Sequence, residues 1–312
     1  MHRYKFVLYR PLQLLPVLFG ISIITFVLVR LIPGDPARVI LGTRATPTAI
    51  AKIREQYGLD EPIWLQYVYF IRNLANGEMG KSILYKIDVL KLVMTRIEPT
   101  LMLVLTSVLL SILIAVPMSA IAARRQGRLP DHAVRIVSTA GIGFPPFWLG
   151  LMLIIFFSVK LDLFPVSGYG NTMTDRLWYL ALPSLTIALS LSAVITRSLR
   201  AAMIEQLRSD VATAARARGM PESVVFWRHV VPNSLVPTIN LLAVNIGWLI
   251  GGTVVVESVF ALPGMGQLLV RAIFSRDYMV VQGVAIVFAC GTVLVNFLAD
   301  IITVTLDPRV KL

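Results

Sequence analysis

Long apolar runs are the feature that most limits how this 312-residue chain can fold. A helix needs about 20 largely apolar residues to cross the hydrocarbon of a bilayer, and the chain supplies six such runs. They lie at roughly 11–31, 99–123, 133–159, 179–197, 235–260 and 279–305. The runs predict an all-α polytopic membrane protein with six transmembrane helices.

The composition agrees with a membrane protein: 56% of the residues are hydrophobic, 15% are charged and the mean hydropathy is +0.76. A net charge of +12 would suggest nucleic acid as the partner of a soluble protein. Here the basic residues lie between apolar runs, where the positive-inside rule accounts for them, so we expect no nucleic-acid partner. The one cysteine, Cys290, lies inside an apolar run, which excludes a disulfide scaffold and a cysteine-based zinc site.

The distribution of Lys and Arg predicts the orientation of the runs. The first run is too long for a signal-peptide core and lacks a small-residue cleavage pattern, so we expect a retained helix. Fourteen basic residues lie on one side: Arg3, Lys5, Arg10, Arg124, Arg125, Arg128, Arg197, Arg200, Arg208, Arg216, Arg218, Arg228, Arg309 and Lys311. The two short opposite loops hold four: Lys160, Arg176, Arg271 and Arg276. The positive-inside rule therefore places both termini in the cytoplasm.

The segment 32–98 is too long to count in that rule, and its patterns predict an extracytoplasmic subdomain. Thr46 as N-cap, Pro47 at the first position and Gly58 as the stop indicate one helix. Asp60 can cap a second helix that starts at Pro62. Its apolar face suits the membrane or the transmembrane bundle and holds Trp64, Tyr67, Val68, Ile71 and Leu74. The expected organisation is 1–31, a cytoplasmic N-terminus and first helix; 32–98, this subdomain; and 99–312, a five-helix core.

Patterns typical of enzymes fail on inspection. Gly80, Lys81 and Ser82 end like a phosphate loop, but the pattern requires glycine where the chain has Ala75. The histidines, His2, His132 and His229, have no partner at helical spacing, which disfavours a metal site. No serine lies in the G-x-S-x-G pattern. We expect no catalytic residue, bound cofactor or metal in this chain.

Polar residues within the apolar runs are scarce. An ionisable group deep in the bilayer is costly and usually marks an ion or proton path; Glu257 lies only near the end of the fifth run. A secondary transporter normally binds its coupling ion near the midplane, so this absence favours an external energy source. The candidates for a solute pathway are Asn240, Asn245, Trp248 and Asn296. The asparagines have an alternative role as hydrogen-bonding links between helices. Pro145 and Pro146 are expected to break the third run.

The loop at 198–234, between the fourth and fifth runs, is too long for a simple turn. Asp210 can cap a helix whose alanines allow another backbone to approach, and Gly219 is suited to a left-handed stop. A second short helix can start at Pro221, and Pro232 returns the chain to the membrane. The pair suits either lipid headgroups or a groove on a partner protein.

Ala214, Ala215 and Gly219 form the pattern AA-x3-G, and HVVPN follows from His229 to Asn233. This arrangement resembles the EAA loop of ABC importer permeases. DVATAARARG resembles the variant of the dipeptide, oligopeptide and nickel branch, with Thr213 where the general motif has Glu. Further strings similar to this branch occur in order along the chain: LIPGDPA, YGLDEP, GKS, GGTVVVESVFALPGMGQLL, RDYMVVQG and LDPR.

The resemblance implies a type I ABC importer permease with a coupling helix, in a bacterial inner membrane. It implies four kinds of partner: a second homologous permease, two ATPases that bind ATP and Mg, an extracytoplasmic solute-binding protein and membrane lipid. The coupling loop would include Asp210, Ala214, Ala215, Gly219, Met220, Pro221, Glu222, His229, Pro232 and Asn233. Di- or oligopeptides are the expected solutes, with nickel or metal chelates and glutathione as alternatives. The competing classes are an ion-coupled secondary transporter and a membrane scaffold.

Overall fold

A computed structural model of the chain describes residues 15–27, 36–41 and 45–306. These residues form helices, and extended pairing among them is limited to one bridge between Lys81 and Asp88. The predicted all-α fold is confirmed. The helices are α1 Leu15–Val27, α2 Pro36–Leu41, α3 Pro47–Tyr57, α4 Ile63–Ala75, α5 Val89–Arg124, α6 Leu129–Gly143, α7 Pro146–Leu153, α8 Met173–Leu207, α9 Asp210–Ala217, α10 Glu222–Val225, α11 Val231–Val259, α12 Met265–Phe274 and α13 Tyr278–Leu306. Wider π-helical turns, Ile154–Lys160 and Phe226–Val230, follow α7 and α10.

Four stretches in the described part of the chain are long and apolar enough to cross a bilayer: α5, α8, α10 through α11, and α13. Helix α6 and the stretch Pro146–Lys160 pass the same test together but are bent by 103°. The bend falls where Pro145 and Pro146 were expected to break the run, because proline lacks an N–H and disfavours helix at the preceding residue. Helix α1 covers 15–27 of the first predicted run. The other residues of that run lie outside the described part of the chain. The basic residues at both termini and His2 also lie outside it.

The chain divides into two compact units. The first comprises Met1–Pro99 and Pro263–Val293, and the second comprises Thr100–Leu262 and Leu294–Leu312. The organisation expected from sequence did not pair the segment 263–293 with the first 99 residues. The extracytoplasmic placement of 32–98 stays a prediction.

The apolar core of the first unit joins the start of α5 to α12 and the start of α13. Its buried side chains are Val89, Leu92, Val93, Met265, Leu268, Ala272, Val280 and Val284. The GKS string lies against the RDYMVVQG string: Ser82 Oγ donates to Asp277 Oδ2 at 2.5 Å, and the Leu84 N–H donates to the same oxygen at 3.1 Å. Two strings far apart in sequence thus form one buried polar contact.

The two short helices of the first unit follow the sequence patterns only in part. Helix α3 has the predicted Thr46 cap and the left-handed Gly58 stop, at φ 57°. The predicted Asp60 cap of α4 is wrong. Pro62 occupies the N-cap position without a side-chain bond, and Asp60 instead lies 3.6 Å from Arg54 in an exposed ion pair. Proline fixes its own φ near the helical value, so the helix starts there without a capping side chain.

The face of α4 around Tyr67 lies on helix α1. Tyr67 Oη lies 2.7 Å from Ser22 Oγ, and its ring meets Phe26 edge to face at 5.1 Å between centroids. Trp64 and Val68 on the same helix remain exposed. Of the two surfaces left open by the sequence, the Tyr67 face contacts helix α1.

Helix α8 is the most buried membrane-length helix in the described chain. In its most apolar stretch 67% is buried, against 28% in the most apolar stretch of α5. Helix α6 approaches it closely at Gly141, where a Cβ would lie 3.1 Å from Ala193 Cβ. Glu257, expected near the end of its run, is fully buried and accepts a 2.7 Å hydrogen bond from Thr100 Oγ1.

Candidate functional site

The loop between α8 and α11 is built around the short helix α9. Its N-cap is Ser209, which has an extended backbone and whose hydroxyl oxygen accepts a hydrogen bond from the Ala212 N–H at 3.4 Å. The predicted Asp210 cap is therefore wrong by one residue, and Asp210 occupies the first helical turn. A carboxylate there still interacts favourably with the positive end of the helix dipole.

Gly219 ends α9 in the left-handed conformation predicted from the sequence, at φ 78°. The Gly219 N–H donates to Arg216 O at 2.9 Å, and the Met220 N–H donates to Ala215 O at 3.3 Å. These two bonds form a Schellman motif, which satisfies carbonyls at the helix end. Pro221, two residues later, has an extended backbone. The turn is fixed by backbone bonds and by glycine's access to positive φ.

One face of α9 is buried against its own chain. Ala212 and Ala215 pack into an apolar cluster with side chains from α5, α8 and the first part of the stretch from α10 through α11. The other members are Ala120, Ala123, Leu199, Met203, Val225, Phe226, Val230 and Val231. Val211, Ala214 and Arg218 face outward. The alanines of α9 therefore divide into a pair that packs on the chain's own cluster and others that are exposed.

Arg216 ties α9 to the elements on either side of it. Its Nε donates to Glu222 Oε1 at 2.6 Å, and its Nη1 donates to the Leu207 carbonyl at 3.0 Å. The sequence analysis counted Arg216 only as a basic residue and missed its structural contacts. Its partners lie nine residues before it and six after it, and neither interval is a helical repeat.

The segment after Pro221 differs from the predicted separate short helix. Helical geometry continues from Glu222 through the π-turn into α11, so the segment is the first part of a 38-residue helix. Pro232 lies near the start of α11, and Asn233 Nδ2 donates to the His229 carbonyl at 2.7 Å; that the chain returns to the membrane at Pro232 stays a prediction. Residues His229 to Asn233 are therefore helical.

The bulky apolar residues at 224–227 are divided between a buried and an exposed face. Val225 and Phe226 are buried in the cluster, and the Arg124 guanidinium lies over the Phe226 ring, 5.3 Å from its centroid. Val224 and Trp227 are exposed, Trp227 by 53%. Tryptophan is enriched among the residues that contribute most to protein–protein interfaces.

The candidate pathway residues occupy two helices. Asn240, Asn245 and Trp248 lie on α11, and Asn296 lies on α13. Asn240, Val244, Trp248, Gly251 and Val255 are all exposed and form one stripe at helical spacing. Asn245 Nδ2 donates to the Leu241 carbonyl of its own helix at 2.7 Å, so this amide is not seen linking two helices.

Comparison with known proteins gives consistent matches along the chain. The model of the binding-protein-dependent transport system inner membrane component family matches residues 115–312, and the model of its N-terminal region matches residues 3–83. The glutathione transport system permease protein GsiC of Escherichia coli (strain K12) is 35% identical over 307 residues, which cover 98% of this chain and 99% of the relative. The GsiC of Shigella dysenteriae serotype 1 (strain Sd197) matches equally.

Solved structures of ABC transporters share the fold. The MetNI methionine ABC transporter in inward-facing conformations gives a TM-score of 0.57 at 18% identity, over 69% of this chain and 96% of that chain. An amino acid ABC transporter crystallised with histidines gives a TM-score of 0.53 at 15% identity, over 68% and 93%.

Proposed function

This chain belongs to the family of binding-protein-dependent transport system inner membrane components, the permease subunits of ABC importers, and on that premise we propose that its solute is a short peptide. Glutathione, a tripeptide, is the first solute to test, because the glutathione permease of Escherichia coli matches nearly the whole chain. Metal chelates are the alternative cargo for the same machinery. No observation favours the ion-coupled class.

The complete transporter in this proposal has partners that supply the energy and the solute. They are a second homologous permease, two ATPases that bind ATP and Mg, and an extracytoplasmic solute-binding protein. The family description supports this composition, since it names dependence on a binding protein. The chain lies in a bacterial inner membrane with both termini in the cytoplasm, as the asymmetry of its basic residues indicates.

Helix α9 is the coupling element of this proposal and docks in a groove of an ATPase. The observation that carries this role is its two-sided structure: Ala212 and Ala215 are buried in the chain's own cluster, while Ala214 and the Gly219 turn remain exposed. Helices that insert into grooves present a short, preorganised face. A helix resting on lipid headgroups needs a broad apolar face, whereas the outward face of α9 pairs Val211 with only small or charged neighbours. The docking surface also includes Met220, Pro221, Glu222 and Trp227.

The solute path in this proposal runs along the exposed stripe of α11. Asn240 supplies an amide that can hydrogen-bond a peptide group, and Trp248, which is 81% exposed, supplies a ring that can pack against its aliphatic parts. Asn245 and Asn296 are half-buried and contribute from less accessible positions.

Uptake by the reconstituted transporter tests the proposal. Proteoliposomes with all subunits should accumulate labelled glutathione or a dipeptide only when ATP is supplied on the ATPase side, and an excess of the unlabelled compound should compete. The chain alone should show neither ATPase activity nor uptake driven by a proton or sodium gradient. Gradient-driven uptake by the chain alone would remove the importer-subunit mechanism, while ATP-driven uptake of metal chelates but not peptides would remove only the solute.

A further inference from the structure

A buried ion pair joins α6 to α8. Asp131, in the first turn of α6, is 1% exposed. Its carboxylate accepts two hydrogen bonds from Arg200, from Nε at 2.5 Å and from Nη2 at 2.7 Å, and a third from the Gly127 N–H at 2.9 Å. A guanidinium that binds both oxygens of a carboxylate fixes the orientation as well as the distance of the two groups.

Arg200 lies on the part of α8 that also holds α9. Its neighbours Leu199 and Met203 are fully buried in the cluster that contains Ala212 and Ala215. This part of α8 therefore contacts α9 through apolar side chains and the start of α6 through the ion pair. The sequence-based count treated Arg200 as one of the loop's basic residues, but the structure places it inside α8.

The apolar contacts between α6 and α8 include a close approach at Gly141, where a Cβ would lie 3.1 Å from Ala193 Cβ, so shape holds this part of the interface. The ion pair adds a second, directional link at the other end of α6. The bidentate pair is directional, and separating it would leave buried charges without partners. A displacement of α8 at Arg200 should thus carry the start of α6 with it, towards the 103° bend at 144–145.

We propose that Asp131 and Arg200 are positioning residues that make helix α6 move with the coupling helix α9. The inference rests on the proposed docking of α9 on an ATPase and adds how that motion reaches the membrane helices. The pair acts through α6 and α8 and performs no chemistry itself.

The first test measures how much solute is transported per ATP hydrolysed by the complete reconstituted transporter. Asp131→Asn and Arg200→Gln should each lower this ratio about tenfold, within the range typical of coupling between sites, while ATP hydrolysis continues. The double variant should be no worse than the more impaired single variant, because both changes remove one interaction. Asp60→Asn neutralises the exposed Arg54 pair and serves as the matched control, with a change below about twofold.

A second test measures motion directly. With Cys290 replaced by serine, spin labels replace Ile136 on α6 and Glu205 on the part of α8 that holds α9, both exposed and outside the docking face. In the otherwise unaltered transporter the distance between the labels should stay the same with and without a non-hydrolysable ATP analogue. In the Asp131→Asn transporter the analogue should change or broaden it.

The outcomes separate the alternatives. If the variants assemble poorly but transport normally per ATP, the pair is only structural and the inference fails. A label distance that already changes with nucleotide in the unaltered transporter overturns it as well. If the ATPases do not co-purify with the unaltered chain, the proposed function fails first and the inference fails with it.

Discussion

Gly219 has a backbone that only a few residue types can adopt. Its φ is 78°, and no atom lies within 4 Å of the position that a Cβ would take, so a substitution strains the backbone without causing a clash. A left-handed conformation costs an ordinary L-residue about 1–2 kcal/mol, and a β-branched residue more. We predict that Gly219→Val lowers ATP-driven uptake about tenfold, because the Schellman turn opens and α9 loses its docking angle.

The control for this prediction is Gly219→Asn, since asparagine tolerates the left-handed region and should retain most of the uptake. Both variants should be inserted in the membrane in normal amounts. Uptake and co-purification of the ATPases are measured on the same preparations. Near-normal uptake by the valine variant would show that the turn needs no fixed geometry, as for a loop resting on headgroups.

Arg216 makes two kinds of interaction that substitutions can separate. Its ion pair with Glu222 is exposed and contributes no more than about 1 kcal/mol. Its bond to the Leu207 carbonyl satisfies an acceptor at the end of α8. We predict that Glu222→Gln changes the melting temperature little, while Arg216→Ala lowers it. Equal effects of the two variants would show that the ion pair, rather than the carbonyl contact, holds the loop.

Single residues could be predicted where one residue type meets one backbone requirement. Gly58, Gly219 and the Thr46 cap followed from such requirements and are confirmed. Asp210 was chosen over its neighbour Ser209 although both side chains cap helices well, and the choice depends on which backbone is extended. The bonds of Arg216 depend on the path of the folded chain, which no local pattern contains.

At the scale of elements, the two faces of α9 predict opposite responses to the same substitution. Leucine at Ala215 overpacks the buried cluster, which typically costs about 1–3 kcal/mol, so the melting temperature should fall. Leucine at the exposed Ala214 should leave the melting temperature unchanged. It should reduce co-purification of the ATPases, because its larger side chain projects from the docking face and keeps α9 from seating in the groove. Thermal unfolding and co-purification of both variants check this. If Ala214→Leu binds the ATPases normally, α9 docks through another surface.

The stretch from α10 through α11 shows how one helix continues past a proline. Pro232 has no N–H to bond the Arg228 carbonyl, and the sequence analysis placed a separate short helix before it. The chain instead widens into the π-turn just before it, where the Val231 N–H donates to the Phe226 carbonyl. Such a turn absorbs the missing bond without ending the helix. Periodicity alone does not distinguish these outcomes, because both leave the same apolar positions.

At the scale of the whole molecule, membrane-length helices were predictable because their length follows from the thickness of the bilayer. The pairing within the first unit was not. The contacts of Ser82 and Leu84 with Asp277 join positions 193 or more residues apart. Hydropathy describes each run separately and carries no information about such pairs. The resemblance of both strings to one family suggested their importance without predicting their contact.

The bent pair of α6 and the stretch Pro146–Lys160 can either cross the bilayer or return to the side it came from. The two cases place the loops after it on opposite sides of the membrane. If it crosses, the segment around Asn171 faces outward, and Gln126 and Arg208 both face the cytoplasm. If it returns, Asn171 shares a side with Gln126, and the arginine-rich loop at 198–234 faces outward, against the positive-inside rule. We therefore predict that, with Cys290 replaced by serine, a cysteine at Asn171 reacts with an impermeant thiol reagent in intact cells, while cysteines at Gln126 and Arg208 react only after permeabilisation. Labelling of Arg208 but not Asn171 in intact cells would show that the pair is re-entrant, and α9 would then lie on the wrong side of the membrane to meet an ATPase.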